Sequence, residues 1–173
     1  MHSMRDIQII VAVDARGGFG KDGQIPWLDQ PFAKADLAHF KKTTSGSTCI
    51  MGRKTYEEIV EVAKKAGRKT PLPGRDVIVL TSATDFEVIG GTACTSLRQA
   101  VEQADPNKPV YAIGGGRVFS EALSFAQTIY MSVVNGDYDC TDKFNVAFVA
   151  NHFTPQLLGK HEDDVAFIKY TRR

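Results

Sequence analysis

Short apolar, β-branched runs recur along the chain, separated by stretches whose apolar residues fall three and four apart. The runs are Ile7–Val13, Thr48–Met51, Val77–Leu80, Val110–Ile113 and Thr128–Val134. Each is apolar without alternation, the pattern of a strand buried on both faces in a parallel sheet. Between them the spacing predicts helices. Over Ala33–Lys42 it puts Ala33, Leu37 and Phe40 on one face, and over Thr55–Lys65 it gathers Ile59, Val62 and Ala63. Ser96-Leu97-Arg98-Gln99 is a capping-box pattern opening a helix through Ala104, and a fourth helix starts at Gly116 and runs to about Ala126. Asp164–Thr171 reads as a closing antiparallel strand. Such alternation predicts an α/β sheet with helices on both faces.

The composition is that of an ordinary globular chain. Its 173 residues fit one domain, 1–173, with 43% hydrophobic and 24% charged residues. A formal net charge of +1 gives no electrostatic argument for a nucleic-acid or membrane partner. Three cysteines, Cys49, Cys94 and Cys140, without CxxC spacing argue against a disulfide framework or a metal site and for reduced thiols in the cytoplasm. The first apolar run stops at Asp14, too short for a signal core or a span. Met1-His2-Ser3-Met4 carries no functional reading. Lys64–Gly74, basic and with two prolines, is a connection within the domain.

Five stretches carry candidate chemistry. Gly17, Gly18, Gly20 and Gly23 make a loop directly after the first strand, ending in Ile25, Pro26 and the single tryptophan, Trp27. It reads as a mobile lid that closes an apolar wall, or more plainly as a surface turn anchored by Trp27. Asp36, Leu37 and Phe40 share a helix face, so Asp36 is either solvated or set in a pocket where a ligand's amidine-like edge meets it. His39 reads as a surface residue. In Ile50-Met51-Gly52-Arg53-Lys54-Thr55 a buried strand gives way to a helix opening on two cations; the helix dipole disfavours them there unless an anion neutralises them. Tyr111–Phe119 is again strand, three glycines and helix, a backbone that a pyrophosphate can approach, yet neither GxGxxG nor a P-loop. Arg75, after Pro71-Leu72-Pro73-Gly74, is either a carboxylate clamp or an exposed loop arginine.

Taken in order, these stretches resemble one family, dihydrofolate reductase. The order is a Gly-loop with Ile-Pro-Trp, Asp-Leu-x-x-Phe, Met-Gly-Arg-Lys-Thr, Leu-Pro-Gly-Arg and Ile-Gly-Gly-Gly-Arg-Val-Phe, spanning Ile7 to about Asn135. The resemblance implies a mostly parallel eight-stranded sheet with an antiparallel C-terminal strand and four flanking helices. It implies NADPH-dependent reduction of 7,8-dihydrofolate to tetrahydrofolate, serving one-carbon metabolism and thymidylate synthesis, in a cytoplasmic monomer that antifolates inhibit. Hydride passes from nicotinamide C4 to pterin C6. N5 is protonated through an ordered water, while Asp36 grips the opposite edge of the pterin and Ser132 supports it.

The resemblance also places Ile25 and Trp27 at the reacting centre. Phe40, Ile59 and Leu72 line the benzoyl region, and Arg75 clamps the glutamate α-carboxylate. Ala12 and Phe19 lie where backbone groups hold the nicotinamide carboxamide, and Gly20 and Ile113 are cofactor-binding residues as well. Arg53, Lys54, Ser82 and Arg117 surround the adenosine phosphate, and Thr55, Gly115, Gly116 and Val118 the pyrophosphate. The sequence departs from the family in places. Trp27 and Asp36 are separated by a long LDQPFAKA, in which Asp29 is a decoy acid without Leu at +1 and Phe at +4. Glu57–Pro71 is lengthened, Phe119 replaces a common Tyr, and Cys140–Phe144 resembles Asp-Thr-x-Phe only loosely. Two alternatives are a pyrimidine-ribosyl reductase of riboflavin synthesis on the same fold and a non-catalytic nucleotide-binding module. Ile-Pro-Trp, Asp36 and Arg75 argue against the first, and the second has no use for Asp36.

Overall fold

The structure is a computed structural model and describes residues 5–83 and 85–173; the stretch Met1–Met4 lies outside them. In chain order the elements are β1 (Gln8–Val13), β2 (Gly18–Gly20), α1 (Ala33–Thr44), β3 (Thr48–Gly52), α2 (Arg53–Lys65), β4 (Asp76–Leu80) and β5 (Gly91–Cys94). They continue with α3 (Leu97–Gln103), β6 (Val110–Gly114), α4 (Gly116–Leu123), β7 (Thr128–Val134), β8 (Asp142–Lys143), α5 (Val146–His152), β9 (Phe153–His161) and β10 (Val165–Arg172).

Eight strands form one sheet in the order β5-β4-β3-β6-β1-β7-β10-β9, and β2 pairs with β8 in a separate two-stranded ribbon. Only β10 runs against its neighbours in the main sheet. The apolar runs are buried on both faces because successive side chains alternate between two helical layers. Ile50 and Ile78 join a core with α3, α4 and α5, whereas Cys49, Met51, Val77 and Val79 pack toward α1 and α2.

Among the described residues five helices flank the sheet, where four were expected. The extra one, α5, is a seven-residue helix whose first turn is held by Asn145 Oδ1 accepting from Phe148 N (3.0 Å). Strand β9 was also unforeseen: it is an edge strand with mostly exposed side chains and so has no apolar run to betray it. Two side chains depart from their expected faces. Leu37 is 54% exposed rather than packed with Ala33, and Val62 is exposed beside buried Ala63. The Ser96 capping box is half made: Ser96 Oγ accepts from Gln99 N (3.1 Å), but Gln99 Oε1 accepts from Thr95 N (2.9 Å) instead of returning to Ser96.

Gly91 pairs with Val77, and a Cβ there would overlap the Val77 carbonyl. Gly91→Ala is therefore expected to destabilise the protein by about 1–3 kcal/mol, the usual cost of overpacking. Urea unfolding, read as a fall in midpoint at constant slope, checks it.

Candidate active site

Three neighbouring strands, β3, β6 and β1, end side by side at Gly52, Gly114 and Val13, where an open α/β sheet gathers its ligand-binding loops. The glycine loop leaves β1 there, α2 starts at Gly52 and α4 at Gly115–Gly116. The two helix starts converge. A Cβ on Gly52 would lie 3.9 Å from Gly115 N, and one on Gly115 would lie 3.4 Å from Thr55 Oγ1. Helices α3 and α5 begin on capping side chains, Ser96 and Asn145, but α2 and α4 begin on glycine with no side-chain cap. Two sets of free N–H groups therefore point at one place, which suits a pyrophosphate. The glycines keep the surface bare: a Cβ on Gly114 would meet the Phe119 ring at 3.3 Å, and one on Gly116 the Phe19 ring at 3.4 Å. The residues present thus fit a dinucleotide. Val118 contributes only backbone there, because its side chain is buried in the core.

The cations at the α2 start are less isolated than the sequence argument required. Arg53 Nε donates to Glu57 Oε1 (3.1 Å), and its guanidinium lies 4.4 Å from the centre of the Phe86 ring. Phe86 belongs to the loop after β4 that also carries exposed Ser82. Lys54 lies over the lid: a Cβ on Gly23 would come within 2.9 Å of its Nζ and 3.4 Å of Glu58 Oε1. Arg53 is thus paired with Glu57, and Glu58 stands one turn from Lys54, so neither cation is without an acid nearby. Arg117 is 93% exposed on its side chain and pairs with Glu121 (3.4 Å).

On the other helical face, Ala12, Ser132 and Phe167 stand in register across β1, β7 and β10 and share one side of the sheet. Helix α1 packs over them. Ser132 is buried and faces Asp36, and the Trp27 indole N–H is buried with no hydrogen-bond partner among the described residues. Burial pushes the Asp36 carboxyl above its ordinary range; the Ser132 hydroxyl, the neighbouring His39 and the Trp27 N–H oppose that push without cancelling it. Asp29 is exposed, with only Gln30 as hydrogen-bond partner. His39 is not a free surface residue: its ring stacks on Phe167 at 4.3 Å, in a groove of about 370 Å³ on the flank of α1 with Tyr111, Tyr130 and Leu158. The helix position alone could not show this, because Phe167 comes from a strand 128 residues on.

Phe40, Ile59, Leu72 and Ile113 gather in one apolar cluster around Cys49, Met51 and Tyr56. Arg75 closes its end. Its Nη1 donates to Thr44 Oγ1 (3.2 Å), its Nε to the Pro73 carbonyl (3.1 Å), and its guanidinium lies 5.9 Å from the Phe40 ring centre. Half-buried, it has no carboxylate partner among the described residues, and burial lowers its pKa. Ile25 and Leu28, on either side of Trp27, are exposed like Leu37 beside Asp36. The end of the lid and α1 therefore present exposed apolar side chains, a partly buried acid and, at the C-terminal end of α1, a cation without a carboxylate partner among the described residues. Such a set suits a ligand with a hydrogen-bonding edge at Asp36 and an anionic end at Arg75.

One important residue escaped the sequence reading. Asp14 is a buried carboxylate at the end of β1, accepting hydrogen bonds from Arg16, Gly18 and Tyr138 backbone N–H groups. An Asp that ends an apolar run just before glycines is the signal of an Asx turn, and it was available in the sequence.

Comparison with known proteins gives a consistent result. The family model described as dihydrofolate reductase matches residues 6–172. Dihydrofolate reductase of Bacillus subtilis (strain 168) is 38% identical over 133 residues, covering 77% of this chain and 71% of that protein. Dihydrofolate reductase type 3 of Salmonella typhimurium is 33% identical over 146 residues, 82% of each. A solved structure described as dihydrofolate reductase from Enterococcus faecalis complexed with NADP(H) and RAB-propyl aligns with a TM-score of 0.75 at 26% identity, covering 98% of both chains.

Proposed function

The chain belongs to the dihydrofolate reductase family, and we propose that the cleft between lid, α1 and α2 is where its NADPH-dependent reduction of 7,8-dihydrofolate to tetrahydrofolate takes place. The observation that carries the assignment of the cleft is Asp36, an acid held partly buried against Ser132 and Trp27 with exposed apolar side chains beside it. NADPH, when bound, supplies the hydride that pterin C6 receives. Asp36 accepts from the pterin's amino group and ring nitrogen, Ser132 fixes the carboxylate, and the Trp27 N–H with the carboxylate offers the two polar partners that an ordered, proton-delivering water needs. Phe40, Ile59 and Leu72 line the benzoyl region and Arg75 holds the glutamate α-carboxylate. Ala12, Phe19 and Gly20 hold the carboxamide end of the cofactor, with Ile113 beside it. Thr55, Gly115, Gly116 and the Val118 backbone take its pyrophosphate, and Arg53, Lys54, Ser82 and Arg117 its adenosine phosphate. Closure of Gly17–Ile25 excludes bulk water. The same reading makes 1–173 one domain acting as a cytoplasmic monomer.

The test is NADPH oxidation followed with dihydrofolate as substrate, and its inhibition by a diaminopyrimidine antifolate, which requires the Asp36 carboxylate. Turnover of a pyrimidine-ribosyl substrate in place of dihydrofolate would overturn the reading.

Cofactor choice is read at Arg53. The 2′-phosphate of NADPH carries close to two negative charges, and a hydrogen bond to a charged group contributes about 1.5–3 kcal/mol. Arg53→Ala is expected to weaken NADPH by roughly ten- to a hundredfold and to leave NADH nearly unchanged. The ratio of kcat/KM for the two cofactors, measured at one salt concentration, checks it. An unchanged ratio would assign Arg53 to its Glu57 pair and Phe86 stack alone.

A further inference from the structure

We propose that Asp14 is a positioning residue of the reaction, a four-way hydrogen-bond acceptor that fixes the base of the lid to the 138–140 segment beneath Trp27. This rests on the reading of Gly17–Ile25 as the lid and deepens it.

The carboxylate is 1% exposed, and no cation pairs with it among the described residues. Its charge is held by donors alone. Oδ1 accepts from Arg16 N (2.9 Å) and Gly18 N (2.9 Å), which flank Gly17 at the entry to the lid. Oδ2 accepts from Tyr138 N (3.0 Å) and from the Cys140 thiol (3.5 Å). The backbone closes the same turn, with Asp14 N donating to Gly18 O (2.8 Å) and Gly17 N to Asp14 O (3.0 Å). Burial works to raise the Asp14 pKa, and the three N–H donors with the thiol overcome it, so the group stays ionised.

The two oxygens thus reach two segments 120 residues apart, both of which meet the site. On one side the lid runs on to Ile25 and Trp27. On the other, the Tyr138 ring packs edge-on against Trp27 with centroids 5.4 Å apart. The Cys140 side chain fills the space over Gly18 so closely that a Cβ there would overlap it. Phe144 N donating to Gly17 O (2.8 Å) and the β2–β8 ribbon continue the same seam. A buried carboxylate with no counter-ion is costly to keep where only structure is needed. Its acceptor-only chemistry is what four converging donors require, and an amide cannot supply it. At 1% exposure, Asp14 offers no surface for substrate or cofactor to touch. It acts by holding Trp27 and the lid in register with Asp36, the sub-ångström placement on which transfer rates depend.

Asp14→Asn turns an N–H₂ toward one pair of donors and releases either the lid or the 138–140 arm. Because this variant also loses stability, the measurement is made on the fully folded protein at 15 °C, with saturating NADPH and dihydrofolate. The expected result is a single-turnover hydride-transfer rate lowered at least tenfold. The Kd of NADPH should rise by a smaller factor than the rate falls, since the α2 and α4 starts are untouched and only the Phe19–Gly20 contact with its carboxamide end lies beside the released turn. Val101→Ala, a core truncation in α3, controls for lost stability and is expected to stay within twofold of wild type. A second pair isolates one arm if Asp14→Asn does not fold. Arg16→Pro removes the backbone donor to Oδ1 while Arg16→Ala keeps it, so the proline variant should transfer hydride at least threefold more slowly than the alanine variant. A single-turnover rate within twofold of wild type in folded Asp14→Asn, a loss no greater than that of Val101→Ala, or equal rates in the two Arg16 variants would each overturn the proposal. The wild-type rate tests the reaction itself, and the variant-to-wild-type ratios test Asp14.

Discussion

Replacing Asp36 with Asn is expected to lower turnover at pH 7 by about 10²–10⁴-fold, the range for a group in acid–base work, and to make the protein more stable. Both effects come from one placement. The carboxylate is desolvated by the lid and α1, which raises its pKa, and Ser132, His39 and the Trp27 N–H only partly restore the charged form. A carboxyl whose folded pKa lies above its unfolded value of about 3.8 contributes stability below that pH and loses it as pH rises through the folded pKa. At pH 7 the whole destabilisation is in force. Asn carries no charge to desolvate and still faces the Ser132 hydroxyl, so its melting temperature should exceed wild type at pH 7, with each kcal/mol relieved worth roughly 2–4 °C in a domain this size. The margin should shrink toward zero near pH 4. A margin independent of pH, or a variant less stable than wild type, would contradict the desolvated placement. Asp29→Asn should turn over like wild type; a comparable loss there would move the acid to Asp29.

The sequence made the scaffold legible wherever burial on two faces left an unbroken apolar run, as in Ile7–Val13 and Thr48–Met51. It hid elements that depend on neighbours for their form. β5, Gly91–Cys94, is a strand because Val77–Leu80 pairs with its backbone, and its own residues carry no strand pattern. β9 contains Pro155 and exposes most of its side chains. The chemistry split the same way. Asp36 and Phe40 share a helix face by spacing alone, but Ser132 came only through the resemblance, since nothing local to Asp36 points to a residue 96 positions on. The two cations at the α2 start have acids nearby, and the spacing that provides them is visible in the sequence. Glu57 and Glu58 stand four residues after Arg53 and Lys54, the spacing at which helix side chains meet. Family membership extends through residue 172, well past Asn135, where α5, β9 and β10 carry the fold without the motifs that carry the site.

Arg75→Ala should raise the KM for dihydrofolate by about 30-fold or more, since truncating one partner of a desolvated charge pair costs roughly 2–5 kcal/mol. The guanidinium is half-buried between Thr44 and the Phe40 ring, and Thr44 and the Pro73 carbonyl each take one of its N–H groups. Three N–H groups remain for a ligand, and no acid of the chain competes for them among the described residues. Desolvation already disfavours the charged form, so a carboxylate arriving there relieves a standing cost. Lysine keeps the charge but not the fork, so Arg75→Lys should fall between wild type and alanine. The NADPH Kd should stay within twofold in both variants. Arg75 also braces the last residue of α1 through Thr44, so a rise in KM alone does not distinguish clamp from brace. A truncated dihydropterin lacking the glutamate makes the distinction. It has no carboxylate to lose, so its kcat/KM should be nearly equal in wild type and variants, whereas a collapsed brace would lower it as much as it lowers dihydrofolate. Equal losses on the two substrates would remove Arg75 from the substrate site.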